Sequence, residues 1–123
     1  MRKIEIGTTN YTEVYAVDEP EFNANHKYEI RRKAPEGATV SVGEESTSII
    51  NFQKGPVKEH NVNGCHHEDL IAIVIDRLES FQKSSYRCNE NRMAISHLED
   101  ALWHLNQRTK NRVSRGVEGT SAT

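Results

Sequence analysis

The hydrophobic period of this chain changes once, near residue 55, and no other feature constrains its fold as strongly. Before that point apolar residues recur every second position. Ile4 and Ile6 alternate with Lys3 and Glu5, and residues 11–17 are rich in aromatic and β-branched side chains. Tyr28 and Ile30 alternate with Lys27, Glu29 and Arg31; Val40 and Val42 alternate with polar residues; residues 47–52 close the series. Turn residues at 18–20, 35–37 and 43–46 separate these runs. Period-two alternation bounded by turns is the signature of strands with one apolar face. It predicts a small antiparallel sheet packed on one side.

Lys54-Gly55-Pro56 ends the strands, Asn61-Val62-Asn63-Gly64 makes a turn, and the spacing then becomes helical. Leu70, Ile71, Val74, Ile75, Leu78 and Phe81 form a wide apolar stripe, with Ile73 lying off it. A second helix is expected to start near Asn89, a good N-cap, with a seam of Ala94, Leu98, Ala101, Leu102 and Leu105 and with Ile95 beside it. Residues 83–88 only reverse the chain, so the pair reads as an antiparallel helical hairpin. Gly116 is the expected helix stop. The predicted class is therefore α+β, divided into a β region at 1–58, a hairpin at 59–116 and a tail at 117–123.

Length and composition limit what this arrangement can be. A chain of 123 residues holds one compact domain with little to spare. Only 35% of its residues are apolar and the mean hydropathy is -0.76, a lean core that assembly between copies would relieve. The longest apolar run, residues 70–75, falls far short of the ~20 residues that span a bilayer. The N-terminus lacks the apolar segment of a signal peptide. A soluble, intracellular protein is expected, with no membrane partner. Cys65 and Cys88 fall at opposite ends of the hairpin, roughly 27 Å apart for a helix of about 18 residues, which excludes a disulfide between them.

Net charge is -2, so general binding to nucleic acid is not expected. Local clustering differs: residues 83–115 carry seven basic side chains against three acidic ones. Arg108, Arg112 and Arg115 follow at spacings of four and three, on one helical face. Guanidinium forks suit phosphate oxygens, so this stripe can hold a multiply charged anion. Alternatively it is a solvated last turn that complements the helix dipole. Phe81 and Asn91 meet at the hairpin turn, where an aromatic face and an amide can bind a purine or can simply close the core and cap a backbone group. Cys65-His66-His67 lacks a second ligand cluster for zinc, so no metal is expected. No Walker loop, dinucleotide fingerprint, HExxH or nucleophile elbow occurs, and no enzyme activity or cofactor is expected.

The second half also follows a known pattern. Asn63-Gly64, Glu68-Asp69-Leu70 and Arg77-Leu78-Glu79-Ser80-Phe81-Gln82 are succeeded by Cys88-Asn89-Glu90-Asn91, by residues 94–102 and 105–109, and by the ending Arg112-Val113-Ser114-Arg115-Gly116-Val117-Glu118-Gly119-Thr120. Together these resemble the helical hairpin of the phage Thoeris anti-defence and anti-CBASS sponges. The strand-rich first half favours the Thoeris branch. The resemblance implies a homo-oligomer, a hexamer built from dimers with pockets between subunits, acting in the cytoplasm of the infected host. Its expected partner is glycocyclic ADP-ribose, with cyclic di- and trinucleotides held by some members. Residue by residue it implies adenine stacking on Phe81, the amide of Asn91 beside it, and phosphate contacts at Arg108 and Arg112. Arg115 and Thr120 match the terminal motif. Cys65-His66 and the order Trp103-His104 depart from the family's usual residues. The competing readings are a nucleic-acid-binding regulator that uses Arg108, Arg112 and Arg115, and a nucleotide-degrading enzyme.

Overall fold

The computed structural model describes residues 1–7, 10–33 and 46–123. These form two compact units. The first comprises Met1–Gly55 with Val62–Gly64, and the second comprises Pro56–Asn61 with Cys65–Thr123. The expected alternation at Val40 and Val42 lies outside the described residues.

The first unit is a four-stranded antiparallel sheet in sequence order, built from β1 (Arg2–Lys3), β2 (Thr12–Ala16), β3 (Lys27–Arg32) and β4 (Ser46–Asn51). Register turns the sequence alternation into two faces. Val14 pairs with Ile30, and Ala16 with Tyr28, which in turn pairs with Ile50. Ala16 is 1% exposed, and Tyr28 meets Phe52 edge-on at 5.7 Å. The opposite face is polar. Tyr15 donates its hydroxyl to Glu13 at 2.7 Å, Lys3 pairs with Glu13 at 3.4 Å, and Arg31 pairs with Glu29 at 2.6 Å while lying 5.0 Å from the Tyr15 ring centroid. The Tyr15 hydroxyl does most to hold the Glu13 carboxyl below its ordinary value; burial, next in size, opposes it, and the Lys3 ammonium adds to the lowering. Between β2 and β3, Asp18 ties the loop by accepting from the Asn25 amide at 3.2 Å and the His26 N–H at 3.0 Å.

Asn63-Gly64 is more than a turn. The Asn63 side chain accepts from the Lys54 N–H and donates to the Lys54 carbonyl, both at 2.8 Å, and its own N–H donates to Gln53 Oε1 at 2.9 Å. A Cβ on Gly64 would lie 2.5 Å from the Phe52 carbonyl carbon and oxygen. Glycine is required there because backbone meets backbone.

The second unit is helical, with α1 (Val57–His60), α2 (His67–Gln82) and α3 (Asn89–Ser114), and α2 packs on α3. The short α1 carries too few residues to show a period, and the sequence reading missed it. His66 precedes α2, its N–H donating to the Asp69 carboxylate at 2.9 Å. The N-cap of α3 is Cys88 rather than Asn89: its sulfur accepts from the Asn91 N–H at 3.4 Å. Leu98, Ala101, Leu102 and Leu105 are half-buried, as the seam requires, and Ile95 at 8% exposure is the most buried residue of α3. Val74, placed in the stripe by spacing, is 44% exposed, and Ile73 and Trp103 are 64% and 58% exposed. Cys65 and Cys88 are both free thiols. Among the described residues no helix is long and apolar enough to cross a membrane.

Candidate functional site

Two places on the helical unit gather the residues that the sequence singled out. The first is the turn of the hairpin. Gln82, at the end of α2, clamps the backbone of Cys88 from both sides, donating to its carbonyl and accepting from its N–H at 3.0 Å each. Ser84 donates to the Phe81 carbonyl at 2.6 Å and accepts from the Tyr86 N–H at 3.1 Å. These bonds fix the turn, in which Phe81 is 37% exposed. The Arg77 guanidinium, one helical turn earlier, lies 5.3 Å from that ring's centroid. Ile73, Asp76, Arg77, Phe81 and Tyr86 line a cavity of about 830 Å³. Asn91 lies at the same end of the hairpin, half-buried in the first turn of α3, but it does not line this cavity. The surface beside Phe81 comes instead from Arg77 and the 75% exposed Tyr86. Arg77 was readable as a helical neighbour of Phe81; Tyr86, in the turn, left no periodic signal.

The second place is the other end of the hairpin. After α3 the chain reverses through Gly116 (φ +72°), with the Gly116 N–H on the Val113 carbonyl and the Val117 N–H on the Arg112 carbonyl, each at 3.0 Å. That bond pair is the Schellman C-cap. The tail then folds back on Arg112, whose guanidinium donates to the carbonyls of Val117 (3.0 Å), Thr120 (3.1 Å) and Ala122 (2.9 Å). Thr120 itself donates its hydroxyl to the Val117 carbonyl. Arg115 bonds Asn111 at 2.9 Å and the Thr123 carbonyl at 3.2 Å. Gly119 accepts from the Lys58 N–H at 3.0 Å, and a Cβ on it would meet the Lys58 stem at 3.1 Å. A cavity of about 520 Å³ opens here, lined by Arg108 and Arg112 together with His66, Glu68 and Glu118.

The arginine stripe therefore divides. Arg108 faces the cavity from an exposed position, while Arg112 and Arg115 are engaged with tail carbonyls. Helical spacing placed the three on one face but held no information about the returning tail. The sequence placed Glu68 and Glu118 only within the shared pattern and not at a site, since Glu68 and Arg108 come to line one cavity only through packing of α2 on α3. Separation between the two places is fixed by α3: Asn91 and Arg108 are 17 residues apart on one helix, about 25 Å along its axis. Within one chain, Phe81 and Arg108 do not reach the same small ligand. Among the described residues no group of three or more His, Cys, Asp or Glu side chains is placed to hold a metal.

Comparison with known proteins agrees with this architecture. The family profile described as "Acb2/Tad1, hairpin domain" matches residues 44–110, which take in β4, α1, α2 and most of α3. The protein "Thoeris anti-defense 1" of Bacillus phage SBSphiJ7 is 42% identical over 135 aligned residues, covering 96% of this chain and 95% of that protein. The likeness thus extends through the sheet as well as the hairpin, and the chain belongs to the Acb2/Tad1 family of phage Thoeris anti-defence proteins.

Proposed function

We propose that this chain is a sponge that binds glycocyclic ADP-ribose in the cytoplasm of the infected host and withholds it without degrading it. The observation that carries the reading is the cavity at the hairpin turn. Phe81, still 37% exposed, is framed by Arg77 and Tyr86 in a cavity of about 830 Å³. Such a surface suits a flat base, whose stacking contributes roughly 1–3 kcal/mol. Arg108, in the second cavity, supplies an exposed guanidinium for the diphosphate, with Arg112 behind it and Arg115 and Thr120 shaping the terminal turn.

Because Asn91 and Arg108 are about 25 Å apart along α3 and Phe81 lies at the Asn91 end, one ligand reaches both Phe81 and Arg108 only if each comes from a different copy. A homo-oligomer, a hexamer built from dimers, satisfies that requirement and also covers Ile73 and Trp103. Asn91 joins the site from the hairpin end facing its neighbour. Cyclic di- and trinucleotides share the base and phosphate chemistry and belong in the same screen. Engagement of Arg112 and Arg115 with carbonyls leaves Arg108 alone on the face that a nucleic-acid-binding regulator would need, which weighs against that reading.

The test is depletion. The purified chain is mixed with glycocyclic ADP-ribose isomers, cyclic dinucleotides and cyclic trinucleotides, filtered, then heated to release what it holds. Depletion followed by intact recovery is expected for glycocyclic ADP-ribose, and Phe81→Ala with Asn91→Ala should abolish it while leaving the oligomer unchanged. Recovery of a cleaved product would replace the sponge with an enzyme.

A further inference from the structure

The cavity that contains Arg108 holds a group for which neither the fold nor the phosphate reading accounts. Glu68 lines it, and the Glu68 Oε1 atom is buried with no hydrogen-bond partner. A carboxylate in the first turn of α2 is favoured by the helix dipole, which explains an acid at this position. It does not explain a buried acceptor left unused, which costs about 1–3 kcal/mol, and more when the group is charged. Glu68 sits in the same cavity as two arginines, yet it makes no ion pair among the described residues.

The charges sharpen the point. Arg112 is committed to tail carbonyls, so Arg108 is left to share the cavity with the carboxylates of Glu68 and Glu118. A bare phosphate entering here gains one guanidinium and meets two acids. A ligand that also presents a hydrogen-bond donor turns one of those acids from a repulsive neighbour into a partner. In an ADP-ribose ring the groups flanking the diphosphate are two riboses, so the donor nearest the phosphates is a sugar hydroxyl.

We propose that Glu68 reads the sugar: a turn of its side chain brings the buried, unpaired oxygen to the cavity, where the carboxylate accepts a hydrogen bond from a ribose hydroxyl adjoining the phosphate held by Arg108. The inference rests on the reading of the chain as a binder of glycocyclic ADP-ribose, and it names the residue that distinguishes ribose from a deoxy sugar or a plain phosphate.

The experiment uses the full chain, wild type, Glu68→Gln and Glu68→Leu, with glycocyclic ADP-ribose and analogues each lacking one ribose hydroxyl, measured by calorimetry. For wild type, one deoxy analogue should bind roughly 10- to 100-fold more weakly than the parent. Glu68→Leu should bind the parent as weakly as wild type binds that analogue and should no longer distinguish the two. Glu68→Gln, which keeps an acceptor oxygen, should retain most of the discrimination. Glu68→Leu should also melt no lower than wild type, because it removes an unpaired buried oxygen; a merely structural glutamate would instead lower the melting temperature. If wild type binds the parent but Glu68→Leu still discriminates as wild type does, the inference falls alone. If wild type takes up no glycocyclic ADP-ribose, the inference falls together with the reading beneath it.

Discussion

Arg112 is where the sequence pattern and the structure assign different work, and the difference can be measured. Its guanidinium makes three hydrogen bonds to the carbonyls of Val117, Thr120 and Ala122, and only one of these acceptors lies within the C-cap itself. Each bond comes from a charged donor, but the site is partly open to water, so together they contribute about 1–3 kcal/mol to holding the tail down. That energy is local. Two amides report on it: Val117 N–H on the Arg112 carbonyl at 3.0 Å, and Thr120 N–H on the Val117 carbonyl at 3.1 Å. Arg112→Ala should speed hydrogen exchange at both amides by roughly 5- to 150-fold, while amides in the middle of α3 stay protected. Arg112→Lys keeps the charge but not the fork, so its tail should exchange nearly as fast as that of Arg112→Ala. Unchanged protection at Val117 and Thr120 in the alanine variant would refute the assignment of Arg112 as the clamp of the tail. Exchange that accelerates across the whole of α3 would refute its local character.

Two further outcomes concern the sheet unit. Gly64→Ala puts a methyl group within 2.5 Å of the Phe52 backbone and 2.6 Å of the Asn51 carbonyl, so the segment must shift and strain the Asn63 bonds. The cost should be about 2–4 kcal/mol, read as a clear drop in melting temperature, and a melt within ~2 °C of wild type would contradict it. For Asp18, burial raises the carboxyl's pKa, but the His26 and Lys27 N–H groups and the Asn25 amide outweigh it, and the net shift is downward from 3.8. A depressed carboxylate stabilises the fold above its unfolded value and loses that contribution as pH falls through its folded value. Wild type should therefore lose melting temperature below about pH 4 more steeply than Asp18→Asn; parallel acid limbs for the two proteins would count against the Asp18 clamp.

Much of the fold was legible because burial imposes a period. Ile30 faces the apolar side of the sheet because it pairs with Val14, as two-residue alternation requires. Leu98, Leu102 and Leu105 face α2 because helical spacing brings them to one seam. What escaped has no period. Asn63 and Gly64 look like any turn in the sequence, yet they close onto residues 51–54 through side-chain amide bonds and a missing Cβ. Cys88 caps α3 in place of the adjacent Asn89 because the sulfur, one residue earlier, lies within reach of the Asn91 amide. At the candidate site Phe81 declared itself as an aromatic at a helix end. Glu68 did not, because an acid in a first turn is ordinary in sequence and unusual only once its oxygen is seen to be buried and unpaired.

The length of α3 has a thermodynamic consequence under the proposed reading. If a ligand must touch the turn end of one copy and the arginine end of another, uptake of signal and association of subunits are a single linked equilibrium. Each signal molecule then strengthens the contact between the copies that hold it, and by reciprocity the apparent affinity for signal rises with protein concentration. Dilution would release the signal without any change in the residues that grip it.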